Sequence, residues 1–194
     1  MKTQYINTRI ICFMLLQSCD HKAGAGDDTI IPRVFVHAGD PALRRAEGML
    51  WLGYAPFSGW IYSLYDKGDT ASVASFYKGK EHGTARAWYP NRQLKEIRPY
   101  NRGRKTGEHK GWWDDGRLRF IYHFSNDMYE GAVLEWYPGG QLYRSMHYHK
   151  GQEEGMQQIW RPDGVLHANY AAVDGRNYGL TGTMHCKNSF ANVP

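Results

Sequence analysis

From Gly131 to Tyr137 the chain alternates, with Ala132, Leu134 and Trp136 on one side and Val133, Glu135 and Tyr137 on the other. A period of two predicts a β-strand with both faces in use. Pro138-Gly139-Gly140-Gln141 interrupts the alternation and reads as a turn, because proline presets a negative φ and glycine accepts a positive one. Leu142, Arg144, Met146 and Tyr148 then alternate along a returning strand, and His149-Lys150-Gly151-Gln152 turns the chain again. The pattern therefore predicts a β-hairpin.

The same hairpin recurs. Gly59, Gly83, Gly107, Gly131, Gly155 and Gly179 are spaced 24 residues apart. Trp88, Trp112, Trp136 and Trp160 hold one column, with Leu64 in the first unit, and the next column reads Tyr65, Tyr89, Trp113, Tyr137 and Arg161. The turn column is Gly68, Arg92, Gly116, Gly140 and Gly164, followed by Leu94, Leu118, Leu142 and Leu166. Phe76, Tyr100, Phe124 and Tyr148 come six residues after that leucine position, and Gly79, Gly103, Gly151 and Gly175 close four units, with Asp127 closing the other. So many columns in one register define a repeat array. The expected fold class is all-β, an elongated array of 24-residue antiparallel β-hairpins with capping ends. One hairpin is marginal alone, so the Trp, Leu and Tyr columns are expected to stack into ladders that let each unit stabilise the next. Five repeats span 59–178. Residues 31–58 read as an amino-terminal cap or partial repeat, with Ile30, Ile31, Val34, Phe35 and Val36 in a leading strand or two, and 179–194 as a carboxy-terminal cap. Arg92 stands where the turn wants a permissive backbone, which predicts a different turn in that hairpin.

Units such as GAVLEWYPGGQLYRSMHYHKGQ and GMQQIWRPDGVLHANYAAVDGR resemble the bacterial MORN-variant repeat, found in proteins named YwqK-family antitoxin. The resemblance covers roughly residues 55–179 and implies a MORN-type hairpin array. Its naming implies an antitoxin or a membrane-associated scaffold. An antitoxin meets its toxin in the cytoplasm, whereas this chain reads as exported, so an antitoxin-like role is kept as a further alternative.

The export reading comes from the amino terminus. Lys2 and Arg9 precede a compact apolar run, Ile10, Ile11, Cys12, Phe13, Met14, Leu15 and Leu16. That run falls short of the ~20 apolar residues a spanning helix needs and suits a cleavable signal, residues 1–18. Leu16-Gln17-Ser18-Cys19 resembles the lipobox of bacterial lipoproteins. The resemblance implies that Cys19 becomes the acylated first residue, with 19–30 a flexible tether and the protein on a membrane of the cell envelope, on the periplasmic side or at the cell surface. Cys12 then leaves with the signal and Cys19 carries lipid, so Cys186 has no partner for an intramolecular disulfide.

Composition and charge narrow the function. The 14 Tyr, 7 Trp, 7 Phe and 22 Gly suit a sheet and its turns. Losing two of the 24 basic side chains with the signal leaves 22 against 19 acidic ones, a net of +3. That excess does not indicate nucleic acid, and the basic run Arg92, Lys95, Arg98, Arg102, Arg104 and Lys105 reads as a solvated face. No phosphate loop, HExxH, CxxC or GxSxG occurs, so neither an enzyme nor a cofactor is expected. Asp114-Asp115 falls on a turn position. His147 and His149 share a strand face, and Met184-His185-Cys186 gathers three copper(I) ligand types, which makes metal binding a minor alternative. The column Tyr65, Tyr89, Trp113 and Tyr137, interleaved with Arg and Lys, is the candidate binding surface. The expected role is a protein-interaction or envelope scaffold held to a membrane by its lipid. The alternative ligand is cell-wall glycan or copper.

Overall fold

The computed structural model describes residues 29–182. The chain divides into a unit of residues 1–30 and a unit of residues 31–194. The anticipated signal, Cys19, nearly all of the tether, and Met184, His185 and Cys186 lie outside the described residues.

Among the described residues of the second unit, every regular element is a strand. The first four are β1 (Phe35–His37), β2 (Leu43–Ala46), β3 (Met49–Leu52) and β4 (Ala55–Pro56). The first hairpin unit comprises β5 (Gly59–Leu64), β6 (Thr70–Tyr77) and the short β7 (Lys80–Glu81); the second comprises β8 (Gly83–Trp88), β9 (Leu94–Asn101) and β10 (Arg104–Lys105). β11 (Gly107–Trp112) and β12 (Leu118–Ser125) form the third, and β13 (Met128–Trp136), β14 (Leu142–His149) and β15 (Gln152–Glu153) the fourth. The fifth is β16 (Gly155–Trp160) and β17 (Leu166–Val173), followed by β18 (Arg176–Leu180). From β5 onward the main strands pair in chain order, each antiparallel to the next, in one long sheet. The all-β array of hairpins expected from the sequence is the fold of the protein.

Three backbone positions per unit set the period. At one end, the N–H of the turn residue donates to the carbonyl of the residue that follows the Trp column: Gly68 to Tyr65, Arg92 to Tyr89, Gly116 to Trp113, Gly140 to Tyr137 and Gly164 to Arg161, at 2.8–3.0 Å. All five donors have positive φ. Arg92 corrects the expectation of a different turn. It adopts a φ of 68° and closes the same turn as the glycines, at a strain of about 1–2 kcal/mol. Its guanidinium lies 2.8 Å from Asp69, and Asn91 Oδ1 accepts the Gln93 N–H. At the other end, Lys78-Gly79, Arg102-Gly103, Asn126-Asp127, Lys150-Gly151 and Asp174-Gly175 all have positive φ at both residues, the signature of the two-residue turn that matches strand twist.

The third position is the glycine that opens each unit. Phe76 pairs with Glu81, yet Val73 pairs with Arg86, so the crossing strand takes up two extra residues around Gly83, where φ is +90°. Gly107, Gly131 and Gly155 repeat the positive φ. A bulge of this kind lets the chain leave one hairpin and enter the next without losing the sheet. β17 and β18 instead keep one register from Val173 to Asn169, Gly179 included.

One face of the sheet carries the core. Phe76, Phe120, Phe124, Val133, Met146, Ala168, Tyr170 and Ala172 are buried, together with His109 and Gln157. Rings touch in sequence across units: Tyr100 with His109 (5.6 Å), His109 with Phe124 (4.7 Å), Phe124 with Tyr129 (4.6 Å) and Tyr129 with Tyr148 (5.2 Å). The expected ladder thus alternates between the return strands β9, β12 and β14 and the first strands β11 and β13 of their units, and includes a histidine. Trp88, Trp112, Trp136 and Trp160 are half-buried and take no part in that run of contacts.

The stretch before the repeats holds more than a leading strand. β1 pairs parallel to β5, Phe35 opposite Trp60, and β2, β3 and β4 form a separate three-stranded antiparallel sheet. Leu50 and Phe57 of that segment pack with Phe76. Leu50 N–H donates to the Gly79 carbonyl, and Gly79 N–H donates to that of Phe57, so the first unit's edge is covered by apolar and polar contacts alike.

Phe124 is 8% exposed and lies in the middle of the ring run. Phe124→Ala should cost about 3–5 kcal/mol, whereas Tyr54→Ala, at a fully exposed side chain (100%), should change stability by less than about 0.5 kcal/mol. Urea unfolding of the two variants checks both values.

Candidate binding site

Tyr65, Tyr89, Trp113 and Tyr137 each open the turn at the end of their unit, and all four are half-buried. Three of them tie one unit to the next. The Tyr65 hydroxyl donates to the Trp88 carbonyl (2.7 Å), that of Tyr89 to the Trp112 carbonyl (3.0 Å), and that of Tyr137 to the Trp160 carbonyl (3.0 Å). The side chain following the leucine column lies against each ring in the middle units. Lys95 sits over Tyr89 (5.5 Å), Arg119 over Trp113 (4.8 Å), and Tyr143 touches Tyr137 (5.0 Å).

Unit three breaks the column. Trp113 has no hydroxyl to reach the Trp136 carbonyl, and its own Nε1–H is buried without a hydrogen-bond partner. At this break lies a cleft of about 280 Å³, lined by Trp113, Arg119, Phe120, Tyr122, Glu135 and Tyr143 among others. Its floor follows from a local choice of residue. Gly111 pairs with Phe120, and a Cβ on Gly111 would collide with the Phe120 ring. The missing side chain lets that ring lie over the backbone, stacked on Tyr122 at 4.5 Å. The Tyr122 hydroxyl donates to Glu135 Oε1, and Arg144 donates to the same oxygen at 2.6 Å. Burial, and then the Glu135 carboxylate, push the Tyr122 hydroxyl well above its ordinary titration range.

The other sequence candidates are dispersed. His147 Nδ1 lies 3.2 Å from the Glu154 carbonyl, and His149 Nδ1 lies 2.8 Å from Glu130. No group of three or more His, Cys, Asp or Glu side chains able to hold a metal gathers among the described residues. Asp114 and Asp115 occupy a turn, where Asp115 accepts the Arg117 N–H. The basic run splits as well: Arg92 goes to Asp69, Arg98 to Glu96, Lys95 to Tyr89 and Lys105 to the Phe124 ring. Arg102 and Arg104 line a second cleft of about 240 Å³ with Arg45, Lys80 and Glu81. Sequence reasoning named Trp113 but missed Phe120, Tyr122, Glu135 and Tyr143. The available signal was that unit three places Phe120 and Tyr122 where unit one has Ser72 and Ala74.

The fold and this surface define a β-hairpin repeat protein without a helix among its described residues. Residues 129–150 match the MORN repeat variant, and the recurrence of that unit's columns along the sheet supports a MORN-repeat protein. No curated protein matches the chain.

Two outcomes follow from the site's neighbours. Tyr89→Phe removes a hydroxyl bonded to the next unit and should cost about 1 kcal/mol, read from denaturant midpoints. His109, buried with its Nε2–H donating to the Pro99 carbonyl (2.9 Å), has its pKa lowered from 6.5 by burial and by nearby Arg98 and Lys105, against the opposing hydrogen bond to Pro99 and the charge of Glu96. The unfolded chain therefore binds a proton at a pH where the folded chain does not. The stabilisation associated with this depressed pKa is full above pH 6.5 and is lost as pH falls below 6.5 through the folded-state pKa. His109→Val, copying Val133 in the next unit, should remove that part of the acid sensitivity. Unfolding free energies of both proteins between neutral and mildly acidic pH test this, and identical slopes would contradict it.

Proposed function

We propose that this chain is a non-enzymatic, lipid-anchored repeat protein that serves as a protein-interaction module or scaffold at the cell envelope. The observation that carries the reading is the ring column with its flanking side chains: Tyr89 under Lys95, Trp113 under Arg119, and Tyr137 against Tyr143, which itself lies under Arg144 at 5.9 Å. Tyr, Trp and Arg are the residues that dominate binding energy at protein interfaces. Here they stand on hydrogen-bonded strands and turns, so little conformational freedom is lost on contact.

Three buried or half-buried polar side chains support the same reading, since they are committed to the fold. His109 bonds Pro99, Gln157 bonds both the N–H and the carbonyl of His147, and the Tyr170 hydroxyl, pushed up to about 12 by burial and by Glu153, donates to that carboxylate. Anchoring rests on Leu16-Gln17-Ser18-Cys19, with each buried acyl methylene contributing ~0.8 kcal/mol. The antitoxin-like alternative draws on the repeat's name alone.

Cell fractionation and in-cell crosslinking test the two parts. The native chain should sediment with membranes and Cys19→Ser should not; a native chain found in the soluble fraction removes the anchor. A photoreactive residue at position 95 should capture one dominant protein, and failure to capture any protein there or at position 117 removes the scaffold.

A further inference from the structure

We infer that the cleft where the small amino-terminal sheet meets the first two hairpin units is an anion site that takes a phosphate monoester group. The inference goes beyond the protein-partner reading and does not depend on it.

Three backbone bonds set the walls. Leu50 N–H donates to the Gly79 carbonyl and Gly79 N–H to that of Phe57, which seats the small sheet against the first unit's turn. Gly103 N–H donates to the Glu81 carbonyl at 2.6 Å, which seats the second unit's turn beside it. The cleft they enclose, of about 240 Å³, is lined by Arg45, Lys80, Arg102 and Arg104, with Glu81 the one carboxylate among its described residues. All four cations are accessible: Arg45, Arg102 and Arg104 are exposed and Lys80 is half-buried.

Lys80 is held in place before any ligand arrives. Its stem crosses Gly103, where a Cβ would come within 3.2 Å of Cδ, and its ammonium donates to the Gly48 carbonyl at 2.9 Å. An ammonium has three N–H donors, so two stay available to a ligand. The Arg45 guanidinium lies over the Phe76 ring at 5.8 Å, and Phe76 also lines the cleft.

The repeat shows that this charge is a local addition. Lys80 and Arg104 follow the closing residue of their turns, and the same place holds Met128 in unit three, Gln152 in unit four and Arg176 in unit five. The turn therefore forms without a cation there, and Arg45 comes from outside the repeat. Among the described residues no ion pair holds Arg45, Lys80 or Arg104, whereas Arg92, Arg98 and Arg144 each meet a carboxylate. Like charges gathered in one cleft repel. A bound anion turns that repulsion into attraction.

Charge and size select the class. Four cations against one carboxylate favour a dianion over a monoanion, and guanidinium groups meet phosphate oxygens through paired N–H bonds. The volume falls below the ~300–1,000 Å³ of pockets that enclose larger organic ligands, so the cleft seats a compact charged group. The basic patch also ends here. Unit three brings Asn126, Asp127 and Met128 to the same row, and Asp127 Oδ1 accepts the Lys105 N–H at 2.8 Å. No continuous basic track then follows the sheet, as a polyanion would need.

Titration of the isotopically labelled full chain with inorganic phosphate, followed by amide NMR, tests the site. The amides of Lys80, Gly103 and Arg104 should shift, and those of Gln152 and Arg176 should stay in place. Arg45→Gln combined with Arg104→Gln, at two exposed side chains, should keep the native unfolding midpoint and weaken phosphate binding at least about tenfold. Arg176→Gln removes a cation from the same repeat position away from the cleft and should bind as the native chain does. Glycerol phosphate and dihexanoyl phosphatidic acid separate two sources of the group. Tighter binding of the lipid, helped by the adjoining apolar cleft of Leu43, Leu50 and Ile61, assigns a lipid headgroup; otherwise the source is a soluble ester, and either result keeps the site. Absence of the amide shifts at ~10 mM phosphate, where a millimolar site would be filled, overturns the proposal. So does unchanged binding by the double variant, an equal loss in Arg176→Gln, or acetate that binds as tightly at equal ionic strength. The in-cell capture at position 95 can fail while this titration succeeds, and the reverse, so the two readings are separable.

Discussion

At the middle of this sheet the core rings are buried between one hairpin and the next. Phe124 lies against His109 of its own unit on one side and Tyr129 of the next unit on the other, and the second contact is available only if consecutive units arrive at the same height and angle. Burial of a large side chain contributes ~1.5–3 kcal/mol, enough to hold a neighbour in place but not enough to fold one unit by itself. The fixed period follows from this dependence. A one-residue slip would turn every core ring to the opposite face, so each unit is pinned at its two turns and, in the internal crossings, at the glycine bulge that starts the next hairpin.

The tyrosine column adds a second, directional tie. A hydroxyl from one unit on a carbonyl of the next links the turn end of the sheet, while the ring run links its middle. These ties also explain why the cleft is local. Where the column carries Trp113, the turn is kept by its backbone bonds, yet the side-chain tie is gone, and Phe120, seated over Gly111, occupies the neighbouring ground. The fold tolerates the exception because its other two constraints remain.

The repeat, its strands and the location of both turns were legible in the sequence, since each depends on residues within one unit. Arg92 was misread because glycine is only the least costly way to reach a positive φ. The core face was hidden for a different reason. Both faces alternate with rings, and which one is buried depends on packing between units that residue type does not reveal. The parallel pairing of β1 with β5 and the small sheet of β2, β3 and β4 carry no period to detect. The column of the candidate site was visible, whereas the cleft was not: Trp113, Phe120 and Glu135 come together only through the registers of β11 with β12 and β12 with β13.

Departures from a repeat are informative in proportion to what they give up. Arg92 gives up backbone ease but keeps its turn and pairs with Asp69, so the fold itself accounts for its neighbours. Trp113 gives up an inter-unit hydrogen bond, buries its Nε1–H without a partner and lines a cleft with Phe120, Tyr122 and Glu135, with Arg119 over its ring at 4.8 Å. Local rules that a stable array would otherwise keep are most often broken at functional sites. Beside Tyr65, Tyr89 and Tyr137, whose hydroxyls reach the next unit, Trp113 leaves the turn end of its unit without that tie, its backbone bonds in place, and that difference, not the repeat itself, is what sets unit three apart.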